Sequence, residues 1–272
     1  ATIDAIEIGE LGIEYKITAT SLGGTRTTDT FKQVKILSSG LAIPYSAFGA
    51  TQSNYRIVSV PLDLTSKAVS SVFNELGEAN KEEWRMYHYD GSTKELTPSS
   101  QLVPGKGYWL IVRTDPDESL NSGAGTSVTA TPDNPFKIQL KADWNQIGNP
   151  YNFNISWADV QAANPGLPGL RIFDGAMKDG SQLNKMQGGF VKVTTAQEIV
   201  IPVSKNEDIN GGRVQGEFNP FQRELTDPNW QVKLLIQQED MLNEISGFGM
   251  HEHASTTFDR YDGFNMPPFF DR

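Results

Sequence analysis

Two stretches of this chain carry the same pattern. LVPGKGYWLIV at 102–112 and KMQGGFVKV at 185–193 both place paired glycines before an aromatic residue and a run of strand formers. The match extends on either side. YRIVSVPLDL (55–64) aligns with WNQIGNPYNF (144–153), which sets Tyr55 on Trp144, Val58 near Ile147 and Pro61 on Pro150, 89 positions apart throughout. SKAVSSVFNELG (66–77) aligns at the same interval with ISWADVQAANPG (155–166), and EWRMYHYDG (83–91) meets GLRIFDG (169–175), both closing on an Asp-Gly turn. The glycine–aromatic stretches align 82 apart, Tyr108 on Phe190, so seven residues are expected to be missing from the loops of the second copy.

The repeated unit reads as strand, Pro-terminated turn, short helix, strand, Asp-Gly turn, strand, and a glycine–aromatic strand. Apolar residues recur at helical spacing in its helix: Val69, Val72, Phe73 and Leu76 in one copy, Trp157, Val160 and Ala163 in the other. Thr65 or Ser66, and Ser156, are the expected N-caps, with Gly77 and Asn-Pro-Gly as the stops. A unit with one apolar face cannot stand alone, and two stacked copies bury both faces. The expected fold class is therefore mainly β: a β-sandwich-like domain built from an internal duplication, with one short helix per repeat. It spans about 40–205, with repeats at about 40–125 and 136–205. Between the copies, 113–135 is a polar stretch rich in turn formers.

Residues 1–38 read as strands. Ile13, Tyr15 and Ile17 alternate with polar residues, SLGGTRTTD reads as a glycine-rich turn, and Phe31, Val34 and Ile36 alternate again. Two or three strands do not bury a core of their own. The segment is expected to be the terminal strands of an immunoglobulin- or fibronectin III-like domain, or an arm packed on the next domain. At the other end, 206–272 reads as a polar, turn-rich loop, a β-hairpin over 229–254, and an aromatic, Pro-rich tail packed on the fold.

The 272 residues are enough for one large or two ordinary domains. A formal net charge of -10 repels phosphate backbones, so nucleic acid is not an expected partner. The chain has no cysteine, which removes disulfides, thiolate metal sites and thiol nucleophiles. No apolar run approaches the roughly 20 residues of a membrane helix, so membrane insertion is not expected. The opening ATIDAIEIGE shows neither a signal peptide nor an initiating Met, as in a mature product or an excised piece of something longer.

At YRIVSVPL, WRMYHYDG, PGKGYWLIV, DWNQIGNPYNF and GFGMHEHASTTFDRYDGFNMPPFF the sequence resembles a module of very large secreted and cell-surface proteins of the Bacteroidota, those exported by the type IX secretion system. The resemblance implies a place after arrays of immunoglobulin-like or fibronectin III-like domains and before a C-terminal sorting domain. It implies an extracellular or cell-surface location and a role such as adhesion. It carries no catalytic residues to transfer.

Individual motifs were weighed against packing. Asn206, Asp208, Asn210, Gly211 and Glu217 occupy positions 1, 3, 5, 6 and 12 of a twelve-residue calcium loop, which makes calcium the one candidate cofactor. Position 1 is Asn and the flanks read as strand, so a helix–loop–helix is not expected, and a loop whose Asn and Gly supply positive φ ranks ahead of calcium. His251 and His253 point the same way if they lie on a strand, and Asp259 and Asp262 follow; DPDES at 115–119 is a weaker oxygen cluster. PGKGYW lacks the spacing and the Ser/Thr of a phosphate loop. Trp84, Trp109, Trp144 and Trp157 sit at repeat-equivalent or core-like positions, although flat rings also suit sugars. No serine-nucleophile or paired-carboxylate pattern stands out. The expectation is a non-enzymatic structural or interaction module that meets neighbouring domains of a larger chain and a surface protein or glycan; the alternatives, in order, are a carbohydrate-binding module and an unrecognised hydrolase.

Overall fold

The computed structural model describes residues 13–21, 24–32, 37–78, 80–130, 134–203, 230–238 and 241–250. They form a mainly β protein. In the first half the strands are β1 (Ile13–Ser21), β2 (Gly24–Lys32), β3 (Leu37–Ser38), β4 (Arg56–Val58), β5 (Leu62–Leu64), β6 (Trp84–Tyr89), β7 (Thr93–Glu95), β8 (Tyr108–Val112) and β9 (Gly125–Ser127), with helix α1 (Val69–Val72) between β5 and β6. In the second half they are β10 (Phe136–Leu140), β11 (Asp143–Gly148), β12 (Ile155–Ser156), β13 (Leu170–Phe173), β14 (Met177–Gly180), β15 (Gln182–Leu183), β16 (Gly188–Val193) and β17 (Gln197–Ile201), with helix α2 (Trp157–Ala163) after β12. A last pair, β18 (Trp230–Gln238) and β19 (Met241–Met250), forms a hairpin.

The duplication is written in the sheets. One central sheet has the order β4-β8-β6-β7 and the other β11-β16-β13-β14, both antiparallel and reached in the same chain order. The Asp-Gly turns match atom for atom: the Asp90 amide donates to the Ser92 carbonyl and the Asp174 amide to the Ala176 carbonyl, each at 3.1 Å. Pro61 and Pro150 lie just beyond the ends of β4 and β11, where no ladder donor is needed.

Strand alternation explains why YWLIV is apolar at every position. Tyr108, Leu110 and Val112 point into the core of the first copy, with Val58, Leu62, Leu64, Val69, Val72 and Met86. Trp109 points the other way. The second copy does the same: Val191 and Val193 enter a core with Ile155, Trp157, Val160, Leu170 and Ile199, while Phe190 points out. Between the two central sheets lies a shared layer of Ile57, Tyr87, Tyr89, Trp109, Trp144, Phe173 and Phe190. Each central sheet is thus buried on both faces, which demands continuous apolar runs in its middle strand.

The shared layer has a pseudo-two-fold arrangement. Ladder pairing sets Ile57 opposite Trp109 in one sheet and Gln146 opposite Phe190 in the other. Tyr87 lies opposite Trp109, and Arg171 opposite Phe190. Trp109 therefore corresponds to Phe190, and Tyr108 to Gly189. This corrects the expected match of Tyr108 with Phe190: the interval is one shorter, because the register is set by the ladder and not by the best residue likeness. Ring contacts obey the same symmetry. Trp109 meets Phe173 at 5.0 Å and Phe190 meets Tyr89 at 5.8 Å, while Trp109 and Phe190 meet each other at 5.9 Å.

The paired glycines serve close approach at this axis. Lys106 bridges Ile147, and its counterpart Gln187 bridges Val58. The Ser59 amide donates to the Met186 carbonyl at 2.8 Å, and the Gly148 amide to the Gly105 carbonyl at 3.0 Å. A Cβ on Gly188 would lie 2.8 Å from both the Gly107 Cα and the Ile147 carbonyl oxygen, and one on Gly148 would run into the Lys106 carbonyl. Backbone cannot give way there as a flexible side chain would. Gly148→Ala is accordingly expected to cost about 1–3 kcal/mol, read as a lower urea midpoint with an unchanged m value; an unaltered midpoint would mean the axis is looser than it is drawn.

Several local expectations change. The helices correspond at an interval of 88, with Val69 and Val72 matching Trp157 and Val160 as their buried residues. Helix α1 is capped by Ala68, not by Thr65 or Ser66, because the Lys67 carbonyl accepts the Leu102 amide at 2.8 Å and Ala68 bridges Gln101, holding that backbone extended. Ser156 is the N-cap of α2 but makes no side-chain cap bond. The polar stretch 113–135 is not wholly loop: it contains β9, which joins β3 and β5, and buries Leu120, Val128 and Ala130. In β1–β2 the ladder takes in most of the expected glycine-rich turn, since Gly24–Asp29 pair with Lys16–Ser21. In β18–β19 Gln238 lies opposite Met241, and Met241–Glu244, expected as part of the turn, belong to the strand.

Candidate functional site

The backbone bridges that flank the shared layer are matched in the two copies except at one edge. On the first side Arg56 of β4 bridges Asp174 of the second Asp-Gly turn, backbone to backbone, and their side chains pair at 3.4 Å. The counterparts are Asn145 of β11 and Asp90 of the first Asp-Gly turn. No bridge joins them. A cleft of about 520 Å³ opens here, lined by the Tyr89–Gly91 turn, the Pro104–Lys106 loop, β10 and β11. That volume falls in the usual ligand-cleft range of roughly 300–1,000 Å³.

Gln146 spans the floor. It stands where the first copy has Ile57, is 5% exposed, and its Oε1 accepts the Tyr89 amide at 2.7 Å. Its Nε2 is buried with no hydrogen-bond partner among the described residues. Asn145 is spent on its own loop: its Nδ2 donates to the Lys141 and Asp143 carbonyls, each at 2.8 Å, and its Oδ1 accepts the Lys141 amide at 2.9 Å. Across the mouth, the exposed Lys141 ammonium donates to the Asp90 carboxylate, which holds that carboxyl below its ordinary value. Phe136, half-buried, lies over Gly105 at one wall. Lys106 lines the cleft as well.

His88 closes one end. Its ring packs on Tyr108 at 5.5 Å, and Nδ1 lies 2.9 Å from the Gly107 carbonyl, which can only accept, so Nδ1–H donates. Burial lowers its pKa, and the Lys106 and Lys141 charges push the same way. No nucleophile lies paired with a base among these groups.

The candidates picked from sequence fall elsewhere. Asn206, Asp208, Asn210 and Glu217 lie outside the described residues, as do His251, His253, Asp259, Asp262 and the Pro-rich tail. Among the described residues no group of three or more His, Asp or Glu could hold a metal ion, and the Asp115–Asp117 cluster closes on itself, the Asp117 amide donating to Asp115 Oδ1 at 3.2 Å. Trp84, Trp109, Trp144 and Trp157 are all buried, so none offers a face to a sugar. No helix among the described residues is long and apolar enough to cross a membrane. Gln146, Lys141 and Asp90 were not singled out in the sequence. The signal for one of them was present: at an interval of 89, Gln146 is a polar residue on an apolar repeat position.

The fold and cleft together define a duplicated, mainly β protein with one broken symmetry contact. Comparison with protein-family models, curated proteins and solved structures gave no match.

Proposed function

We propose that this chain is a non-enzymatic structural or interaction module of a large secreted or cell-surface protein, where it meets neighbouring domains. The observation that carries the reading is the use made of the repeated glycine–aromatic motifs. Both copies are consumed in the buried layer between the halves, with Trp109 1% and Phe190 0% exposed. Residues written twice for packing leave the polar loops free to diverge. The secreted location rests on the resemblance of the sequence to modules of type IX-exported proteins. Exposed apolar side chains on the last hairpin, Trp230, Val232 and Met250, support contact with a neighbour.

The test has two arms. Chromogenic ester, peptide and glycoside substrates are expected to turn over no faster than in buffer, and a glycan array is expected to capture nothing. Turnover abolished by Asp90→Asn would replace the reading with a hydrolase. Capture of one glycan, lost on substitution of Phe136, would replace it with a carbohydrate-binding module.

A further inference from the structure

The open edge and the closed edge are copies of one contact, so the closed one shows what chemistry the open one suits. On the closed side, edge strand β4 is met by extended backbone at Asp174, whose carboxylate pairs with Arg56. On the open side, β11 also lies at the end of its sheet, and the corresponding backbone contact is absent. The positive charge has moved from the strand to the walls: Lys106 on one loop, and Lys141 in the β10–β11 turn. The Lys141 ammonium is held by an exposed ion pair with Asp90, their side chains 72% and 44% accessible. Such a pair contributes little, about 0–1 kcal/mol, and exchanges readily for another carboxylate.

We propose that this cleft takes an extended, acidic peptide segment, which lies beside Asp143–Gln146, the part of the β11 edge that the bridge from Lys106 to Ile147 leaves uncovered, with a carboxylate between Lys106 and Lys141. The backbone contributes strand-addition hydrogen bonds, and the lysines select the acidic side chain. On an overall acidic chain, Lys106, Lys137 and Lys141 line the cleft against Asp90 and Asp143; Lys137 is paired to Glu198 and Asp143 to Lys192, which leaves a local excess of positive charge that favours an anion. Gln146 keeps the cleft from closing. It reaches the Tyr89 amide with its side chain, where a backbone contact like that of Arg56 with Asp174 would draw the walls together. This inference rests on the interaction-module reading and names its partner.

The experiment is an amide NMR titration of the whole chain with a blocked hexapeptide of alternating Glu and Val. Parallel titrations use the Lys/Val hexapeptide and free glucuronate. Saturable shifts are expected at Asp90, Lys106 and Asn145 with the Glu peptide alone, weakened about tenfold, or about 1.4 kcal/mol, in Lys106→Gln. Lys106→Glu should abolish them, and Lys106→Gln serves if that variant does not fold. No shifts at millimolar peptide, or equal shifts with the Lys peptide, would overturn the proposal. Glucuronate acting at lower concentration than the peptide would overturn it in favour of an acidic-sugar site. A null titration leaves the structural reading intact, whereas turnover in the substrate panel removes that reading and not the cleft.

Discussion

Trp109→Ala is expected to destabilise the duplicated domain by about 3–5 kcal/mol, the usual cost of truncating a buried large aromatic. For a domain of this size that corresponds to a fall of roughly 10–15 °C in Tm. The indole touches Phe173 and Phe190 of the opposite sheet and Tyr55 of its own half, so its loss opens a void in the layer that joins the copies. Phe190→Ala removes the pseudo-symmetric partner and should cost a similar amount. The two rings are in contact, so the double variant should lose less than the sum of the singles. Differential scanning calorimetry of the three variants checks this. A Trp109→Ala protein that melts within two or three degrees of the parent would mean that the halves are held by something other than their aromatic layer.

Alkaline pH should unfold the protein through three buried phenols. Burial pushes Tyr45, Tyr108 and Tyr151 each up to about 12 from an ordinary value of 10.0. Each hydroxyl is engaged in the interior. Tyr45 donates to the Asn54 carbonyl and accepts the Val112 amide, both at 2.9 Å, Tyr108 accepts the Val103 amide at 3.0 Å, and Tyr151 donates to the Ile201 carbonyl at 2.8 Å. The folded state thus keeps its protons at a pH where the unfolded chain releases them. Stability from this source is complete below pH 10 and is lost as pH rises from 10 towards 12. A difference of about two pH units is worth roughly 2–3 kcal/mol per phenol. Urea midpoints measured from pH 9 to 12 should fall steeply, and Tyr151→Phe should flatten the slope whatever it does to the stability at pH 8. A slope unchanged in Tyr151→Phe would show that this phenol titrates alike in both states.

Acid acts through different groups. Arg85 holds the Glu95 carboxyl below its ordinary value, and Lys178 does the same for Asp174. Their contribution is present above the unfolded carboxylate range and is lost as pH falls through the lower folded values.

Much of the fold was legible before any coordinates. The repeated order of strand, helix, Asp-Gly turn and glycine–aromatic strand is a local signal, carried by side-chain period and turn chemistry. Tyr55 with Trp144, and Asp90 with Asp174, are matched by sequence and by structure alike. The run YWLIV read as a strand; that it is buried on both faces emerged only from the two clusters it enters. What failed was non-local. The three residues of β9, Gly-Thr-Ser, have no alternation to read; they become a strand because β3 and β5 flank them. The start of α1 moved because a distant loop at Gln101–Leu102 holds the preceding backbone.

The sequence by itself determined that the chain is built twice from one mainly β unit, because apolar period, glycine and proline act within a few residues. Only the tertiary structure decided how the copies meet. The ladder registers put Trp109, not Tyr108, on the axis with Phe190, since a one-residue slip would turn every side chain of the strand to the other face. The structure also decided where the symmetry breaks. Ile57 and Gln146 occupy the same place in the unit, yet one is closed over by the bridge from Arg56 to Asp174 and the other floors an open cleft. That difference lies in backbone distances across the interface, of which the sequence carries only a trace, a Gln on an apolar repeat position.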